Sequence, residues 1–302
     1  MLGITDLIKK IKKMILKNDK WKGIWDLQKY QQMRDYISDK FADLVFYESN
    51  HTYFYHGIRL DSVSVVTGRY KQKFDTVGKA TQMFEKYYND PSSKYYQMTT
   101  EQIIEQWNNV KTTACNKGTD CHEFAESCFY FMLGQYDKIL PGFEDRLNGD
   151  TFKSTSPKED AVVKFWIDLP KCFIPIAAEN KVCRPDLGYA GTFDILFYYD
   201  ATLNGKDDGE SGFVIFDYKT NATLFKNYGG EKMLPPFENL LNCSINGYKL
   251  QLSLYQLALD PIGCKVIARR IIWLKDDSTY EKISTESYSD VLETHIKQNK
   301  AT

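Results

Sequence analysis

Apolar residues change their period repeatedly along this chain, and each change marks a predicted element. From Ile4 to Leu16 they recur at helical spacing (Ile4, Leu7, Ile8, Ile11, Ile15), with Lys9, Lys10, Lys12, Lys13 and Lys17 between them. That pattern predicts a basic amphipathic helix, and a second helical stretch runs from Trp25 to Leu44. Beyond Leu44 the pattern shortens. Val45–Tyr47, His51–Tyr55 and Leu60–Val66 read as strands, with His56-Gly57 as a turn. Lys71–Tyr88 and Thr99–Val110 read as helices parted by the breaker Asp90-Pro91-Ser92-Ser93. Thr112–Leu133 is a long helix closed by Gly134, and Lys158–Leu169 another, ended by Pro170.

A strand cluster follows: Phe173–Cys183, Gly188–Tyr199 and Phe213–Lys219, the last two joined by the turn-rich Ala201–Gly212 as a hairpin. Thr220–Gly247, with Gly229-Gly230 and Pro235-Pro236, reads as a long loop of the kind that is usually functional or disordered. Tyr248–Leu259 is a helix, Pro261-Ile262-Gly263 breaks it, and Val266–Leu274 is a last strand. No internal repeat is present. The order predicts an α/β or α+β fold with a mixed central sheet flanked by helices. Residues 1–44 read as an N-terminal helical extension and residues 45–302 as the main domain.

With 302 residues, 43% of them hydrophobic, the chain can build one large domain or two small ones. Lys+Arg (39) and Asp+Glu (40) nearly cancel, which argues against a coat of positive charge but leaves room for a locally basic cleft. Seven cysteines without a Cys-x-x-Cys suggest neither a zinc ribbon nor an iron–sulfur clamp, so reduced core thiols are expected. No apolar run approaches the ~20 residues that span a bilayer. The expectation is a soluble cytoplasmic protein with no membrane association. The basic N-terminal helix offers a surface to membrane, nucleic acid, a protein partner or its own domain.

Four short segments carry candidate chemistry. Asp217-Tyr218-Lys219 ends the apolar run Phe213–Phe216, and strand alternation puts Asp217 and Lys219 on one face. An acid and a lysine side by side at the end of a core strand are costly to desolvate unless they bind something; alone, the pair reads as a salt bridge. Asp194 interrupts the apolar strand after Gly188-Tyr189-Ala190-Gly191-Thr192-Phe193, whose glycines permit close backbone approach. Glu179, on the preceding strand, can reach the same region. His122 and Glu126 lie one turn apart at the border of the apolar arc of their helix. Gln251 and Tyr255, also one turn apart, suit hydrogen bonding to a phosphate or to a lysine.

Each segment is weak evidence by itself. Taken in order, a His after Gly-Thr, an Asp after Gly-x-x-Gly-Thr-Phe, an Asp-x-Lys strand and a Gln-x-x-x-Tyr helix resemble the RecB-type branch of the PD-(D/E)XK nuclease superfamily. That branch includes the mitochondrial genome maintenance exonuclease, and the loops around Asp217–Lys219 resemble its bacteriophage members. The likeness spans about Leu44 to Leu274. It departs from the pattern at Phe193, where proline is usual, and the literal Pro185-Asp186 reads as a turn.

The resemblance implies a restriction-endonuclease-like core and metal-dependent DNA hydrolysis in recombination or repair, with host cytoplasm as the setting if the chain is phage encoded. It implies His122, Asp194, Asp217 and the Tyr218 backbone carbonyl as ligands of Mg²⁺ or Mn²⁺, with Glu126 and Glu179 as candidates for a second metal or for orienting His122. Lys219 would stabilise charge at the attacked phosphate, with Gln251 and Tyr255 behind it. The iron–sulfur cysteines of some relatives are absent, so no cluster is expected. Arg59, Arg69, Lys71 and Lys73, together with Phe225, Lys226, Tyr228, Lys232 and Phe237 of the long loop, are candidate DNA contacts suited to single-stranded ends. An exonuclease is the first reading. A structure-selective or restriction-like endonuclease, or an inactive DNA-binding or assembly module, are the alternatives.

Overall fold

The computed structural model describes residues 14–17, 23–205, 209–227 and 229–300. The first half runs β1 (Ile15–Lys17), α1 (Gln28–Lys40), β2 (Leu44–Tyr47), β3 (Thr52–Tyr55), β4 (Ile58–Ser62), α2 (Val63–Gly68), α3 (Thr76–Tyr87) and α4 (Thr100–Met132). The second half runs β5 (Leu147–Asn148), β6 (Thr151–Lys153), α5 (Pro157–Asp168), β7 (Phe173–Arg184), β8 (Tyr189–Tyr199), β9 (Gly212–Lys219), α6 (Ser244–Leu259), β10 (Val266–Leu274), β11 (Tyr280–Ser284) and α7 (Ser289–Lys300). The fold is mixed α/β: a mixed sheet flanked by helices.

The main sheet has the order β11-β10-β9-β8-β4-β3-β2, with β7 paired to β8, and β1-β6-β5 form a separate small sheet. β7 and β9 each run antiparallel to β8, as their hairpin connections to it require. β9 and β10 are parallel, and the loop and α6 between them make the crossover that a parallel pair needs. β9 is buried almost throughout, which is why its sequence is a near-continuous apolar run. Phe216 and Tyr218 set their rings against Phe165 of α5, at centroid distances of 5.6 and 5.7 Å. Asp217 and Lys219, on the alternate face, meet α6 instead.

Several expectations are corrected. Ile15–Lys17 is a strand that pairs with Thr151–Lys153 and buries Leu16, so the predicted N-terminal helix does not extend to Leu16; its remainder lies outside the described residues. Val63–Val66 is helical, although β-branched residues favour strands, because Ser62 accepts the Val65 N–H as an N-cap. Thr99–Val110 and Thr112–Leu133 are one 33-residue helix. The junction lies in a solvated stretch without apolar periodicity, and no Gly or Pro stops the helix there. β5, β6, β11 and α7 lie outside the predicted elements.

The long loop folds back onto the domain, burying Leu224, Met233 and Phe237. Leu16, Trp25, Tyr30 and Ile37 share one core with the main sheet, while Ala80, Tyr95 and Ile103 form a small second core between α3 and α4. Among the described residues no helix is long and apolar enough to cross a membrane.

Asp200, buried at the end of β8, ties α1 to the sheet. Its Oδ2 accepts from Lys29 Nζ and Tyr30 Oη at 2.7 Å each, and its Oδ1 from the Thr202 N–H at 3.1 Å. Burial alone would raise its pKa, but the hydrogen bonds from Lys29, Thr202 and Tyr30 outweigh this and hold it below the ordinary value. A depressed native pKa contributes stability that is complete above the unfolded value of about 4 and is lost as pH falls through the native value. Asp200→Asn is expected to cost about 2 kcal/mol at pH 7, by the usual worth of charge-assisted bonds. The cost should shrink toward pH 3, as urea melts at the two pH values would measure.

Candidate metal centre at the sheet fork

The site lies where the sheet divides. β8 pairs with β7 from end to end, with β9 from Ile195 onward, and with β4 only at Tyr189 and Ala190. Residues 191–194 therefore have β7 alone beside them, and Asp194 closes this gap. Two helices lean into it. A Cβ at Gly191 would fall 2.7 Å from Val63 Cγ2 of α2 and 2.9 Å from Tyr255 Cε1 of α6, so the close approach needs glycine.

His122, Glu179 and Asp194 converge here, with ligand atoms all within 4.8 Å of one another. His122 Nδ1, carried in from α4, is 3.3 Å from Asp194 Oδ2 and 4.0 Å from Glu179 Oε1. The register that pairs Ala178 with Ile195 and Asn180 with Phe193 sets Glu179 across from Asp194. Glu179 itself adopts a φ of 45°, a left-handed backbone uncommon for a non-glycine and costly within a strand.

The Asp-x-Lys pair adjoins this cluster. Asp194 Oδ2 accepts the Tyr218 N–H at 2.6 Å, linking the two strands through the site. Asp217 is fully buried, and its Oδ2 forms an ion pair with the Lys219 ammonium. Gln251 Nε2 lies 3.3 Å from Asp217 Oδ1 and 3.0 Å from Tyr255 Oη. The Lys219 ammonium stands 4.6 Å above the Tyr248 ring, whose hydroxyl donates to Asn221 Oδ1 at 2.8 Å.

Crowding of acids sets the protonation. Burial, then the nearby Asp194, pushes Asp217 up to about 6 against the pull of Lys219. Burial pushes Glu179 up to about 7. For His122 burial acts downward, but Asp194 outweighs it and lifts the imidazole to about 10. Burial also opposes the Lys219 charge, and Asp217 and Asp194 reverse that, holding its pKa above the usual lysine value. Asp194 is held below its ordinary value because His122 and Lys219 outweigh its burial.

These donors fit a divalent ion. Carboxylate oxygens suit Mg²⁺, one imidazole extends the set to Mn²⁺, and the ligand atoms of His122, Glu179 and Asp194 already lie within 4.8 Å of one another. His122, Glu179 and Asp194 would hold the ion, and its binding would favour their deprotonated forms.

The geometry gives Glu179 a place in the cluster proper, alongside two of the ligands suggested by resemblance. Glu126 stays apart, accepting from Tyr130 Oη at 3.1 Å. For Tyr218 the structure records its N–H on Asp194. Tyr248 was not singled out from sequence, although its position one turn before Gln251 on the same helix face was a usable signal.

The proposed DNA contacts scatter. Lys71 lines a cavity beside Gln251 and Tyr255, whereas Arg69 is ion-paired with Asp61 and lines a separate cavity near His295. Arg59, Lys73, Phe225, Lys226 and Lys232 are exposed, Phe225 with its ring edge-on to Trp273. Tyr228 lies outside the described residues. Phe237 is 1% exposed, packs edge-on against Tyr70 and cannot stack on a base, which corrects that expectation. Compared with models of known protein families and with curated proteins, the chain matches none.

Proposed function

We propose that this protein is a divalent-metal-dependent deoxyribonuclease of RecB-like, PD-(D/E)XK type that hydrolyses phosphodiester bonds in DNA, acting on free or single-stranded ends. The observation that carries the reading is the meeting of His122, Glu179 and Asp194 with the buried Asp217–Lys219 pair at one fork in the sheet. An open groove of about 1100 Å³ is lined by α4 from Gln102 to Gly118 and by Thr220–Ala222, the residues that follow Lys219 in the chain. Gly118 stands one helical turn before His122, so a strand lying in the groove would lead to the cluster.

A bound Mg²⁺ or Mn²⁺ supplies Lewis acidity toward a phosphate and lowers the pKa of a water. The chain's own groups do the rest. Lys219 keeps its proton, so it can donate to phosphate oxygens as negative charge grows on them. Gln251 orients Asp217 and is itself anchored on Tyr255. Tyr248 limits where the lysine can swing. Glu179, whose carboxyl burial raises above the usual range, would give up its proton on binding the ion with His122 and Asp194.

The test is incubation with linear and closed circular DNA, single and double stranded, in Mg²⁺, Mn²⁺ or EDTA. Degradation of linear DNA alone, abolished by EDTA, is the expected result. Cleavage of circles as well would turn the reading to an endonuclease. No cleavage under any condition would overturn it in favour of a DNA-binding or assembly module.

A further inference from the structure

Behind the Gln251–Tyr255 face, a cavity of about 260 Å³ opens between α2, β8 and α6. At ~30 Å³ per water it has room for about nine waters, enough for a phosphate and part of its sugar. Its walls are rich in hydroxyls and amide, with Ser62, Ser64, Thr67, Thr192 and Gln251 among them, and no carboxylate lines it. Lys71 is the cation in that lining.

Lys71 is half-buried, and among the described residues its ammonium has neither an ion-pair nor a hydrogen-bond partner. It reaches the cavity across Gly247: a Cβ there would fall 2.5 Å from Lys71 Cε and 2.6 Å from Nζ. Burial, and then the neighbouring Lys219, both press Lys71 toward its neutral form. Lys219 has Asp217 to balance it, whereas among the described residues Lys71 has no counter-charge. A half-buried ammonium amid hydroxyl donors is set up for an anion, since a carboxylate-free wall repels none.

We propose that this cavity is a phosphate subsite, where Lys71 and the surrounding hydroxyls hold a phosphate of the bound strand adjacent to the one attacked. The identity of the strand rests on the nuclease reading; anion capture by the cavity does not. The held group is either an internal phosphodiester or a terminal phosphate.

Binding should be measured in EDTA, so that no cleavage intervenes, with inorganic phosphate and with fluorescent ten-nucleotide single strands ending in phosphate or hydroxyl, across a salt series. Lys71→Met should weaken strand binding about tenfold and reduce the salt slope by about 0.7–1, the loss of one phosphate contact. Lys71→Arg should retain most of the affinity. Gly247→Ala, which displaces the ammonium without removing it, should reproduce the loss, with thermal melts confirming that each variant is folded. A greater loss for phosphate-ended strands assigns the cavity to a terminal phosphate, and an equal loss to an internal one. Unchanged affinity and slope in Lys71→Met would overturn the subsite even if cleavage is robust. Lys71-dependent binding of inorganic phosphate without cleavage under any metal would leave the subsite standing and sink the nuclease reading.

Discussion

Lys219→Met is expected to reduce DNA cleavage by about 10³-fold, the usual loss when one donor aimed at developing charge is removed, while the protein stays folded. The second half of that expectation follows from Asp217. Removing one member of a buried ion pair ordinarily strands the other charge at a cost of about 3–5 kcal/mol. Asp217, however, is already pushed up to about 6 by burial and by Asp194, so it can take a proton and go neutral. Gln251, held in turn by the Tyr255 hydroxyl, donates to its other oxygen and keeps it in place.

Asp217→Asn should be equally inactive but less stable, because Lys219 cannot shed its charge as readily and Asp194 alone must balance it. Cleavage of linear DNA in Mg²⁺, followed beside urea melts of both variants, measures the two effects together. Activity within tenfold of the parent in Lys219→Met would remove the lysine from the chemistry. Equal stabilities of the two variants would show that the proton does not move to Asp217.

Legibility in the sequence varied with how local the determining physics is. β7 to β10 could be read because each is an apolar run bounded by glycine, proline or turn residues, and the structure agrees with those spans within a residue or so. Pro185-Asp186 was legible as a turn for the same reason; Arg184 grips Asp186 across it. α2 was not, since its start depends on a single Ser62 cap and on packing against α6. Phe237 was misread because its burial comes from a tertiary event: the Leu234 N–H docks on the Tyr70 carbonyl at 2.8 Å and draws the loop inward. The pairing of Arg69 with Asp61 is likewise invisible to spacing along the chain. Within the site, His122, Asp194 and Asp217–Lys219 could be named from motif order. Glu179 could be named only by neighbourhood, because its place in the cluster comes from β7–β8 register and from a backbone angle that no local pattern announces.

That backbone angle makes Glu179→Gly the second large expected effect, with stability and metal affinity moving independently. At a φ of 45° a glutamate holds a conformation that a non-glycine L-residue enters at about 1–2 kcal/mol. Its carboxyl is half-buried near Asp194 and pushed up to about 7, by burial first, a further cost of placing acids together. Glycine removes both penalties and loses up to about 1 kcal/mol through its freer unfolded chain. Glu179→Gly is therefore expected to be at least as stable as the parent protein in denaturant melts. If Glu179 is present to hold a cation with His122 and Asp194, the same variant should bind Mn²⁺ about 10- to 100-fold more weakly by calorimetric titration. Glu179→Ala separates the contributions: it should show the same loss of Mn²⁺ affinity but keep the strained angle, and so melt below the glycine variant. A purely structural role for Glu179 predicts the opposite pattern, with both variants less stable and Mn²⁺ affinity unmoved. A strained residue at the point where three ligand atoms converge is the pattern expected of a position that serves binding.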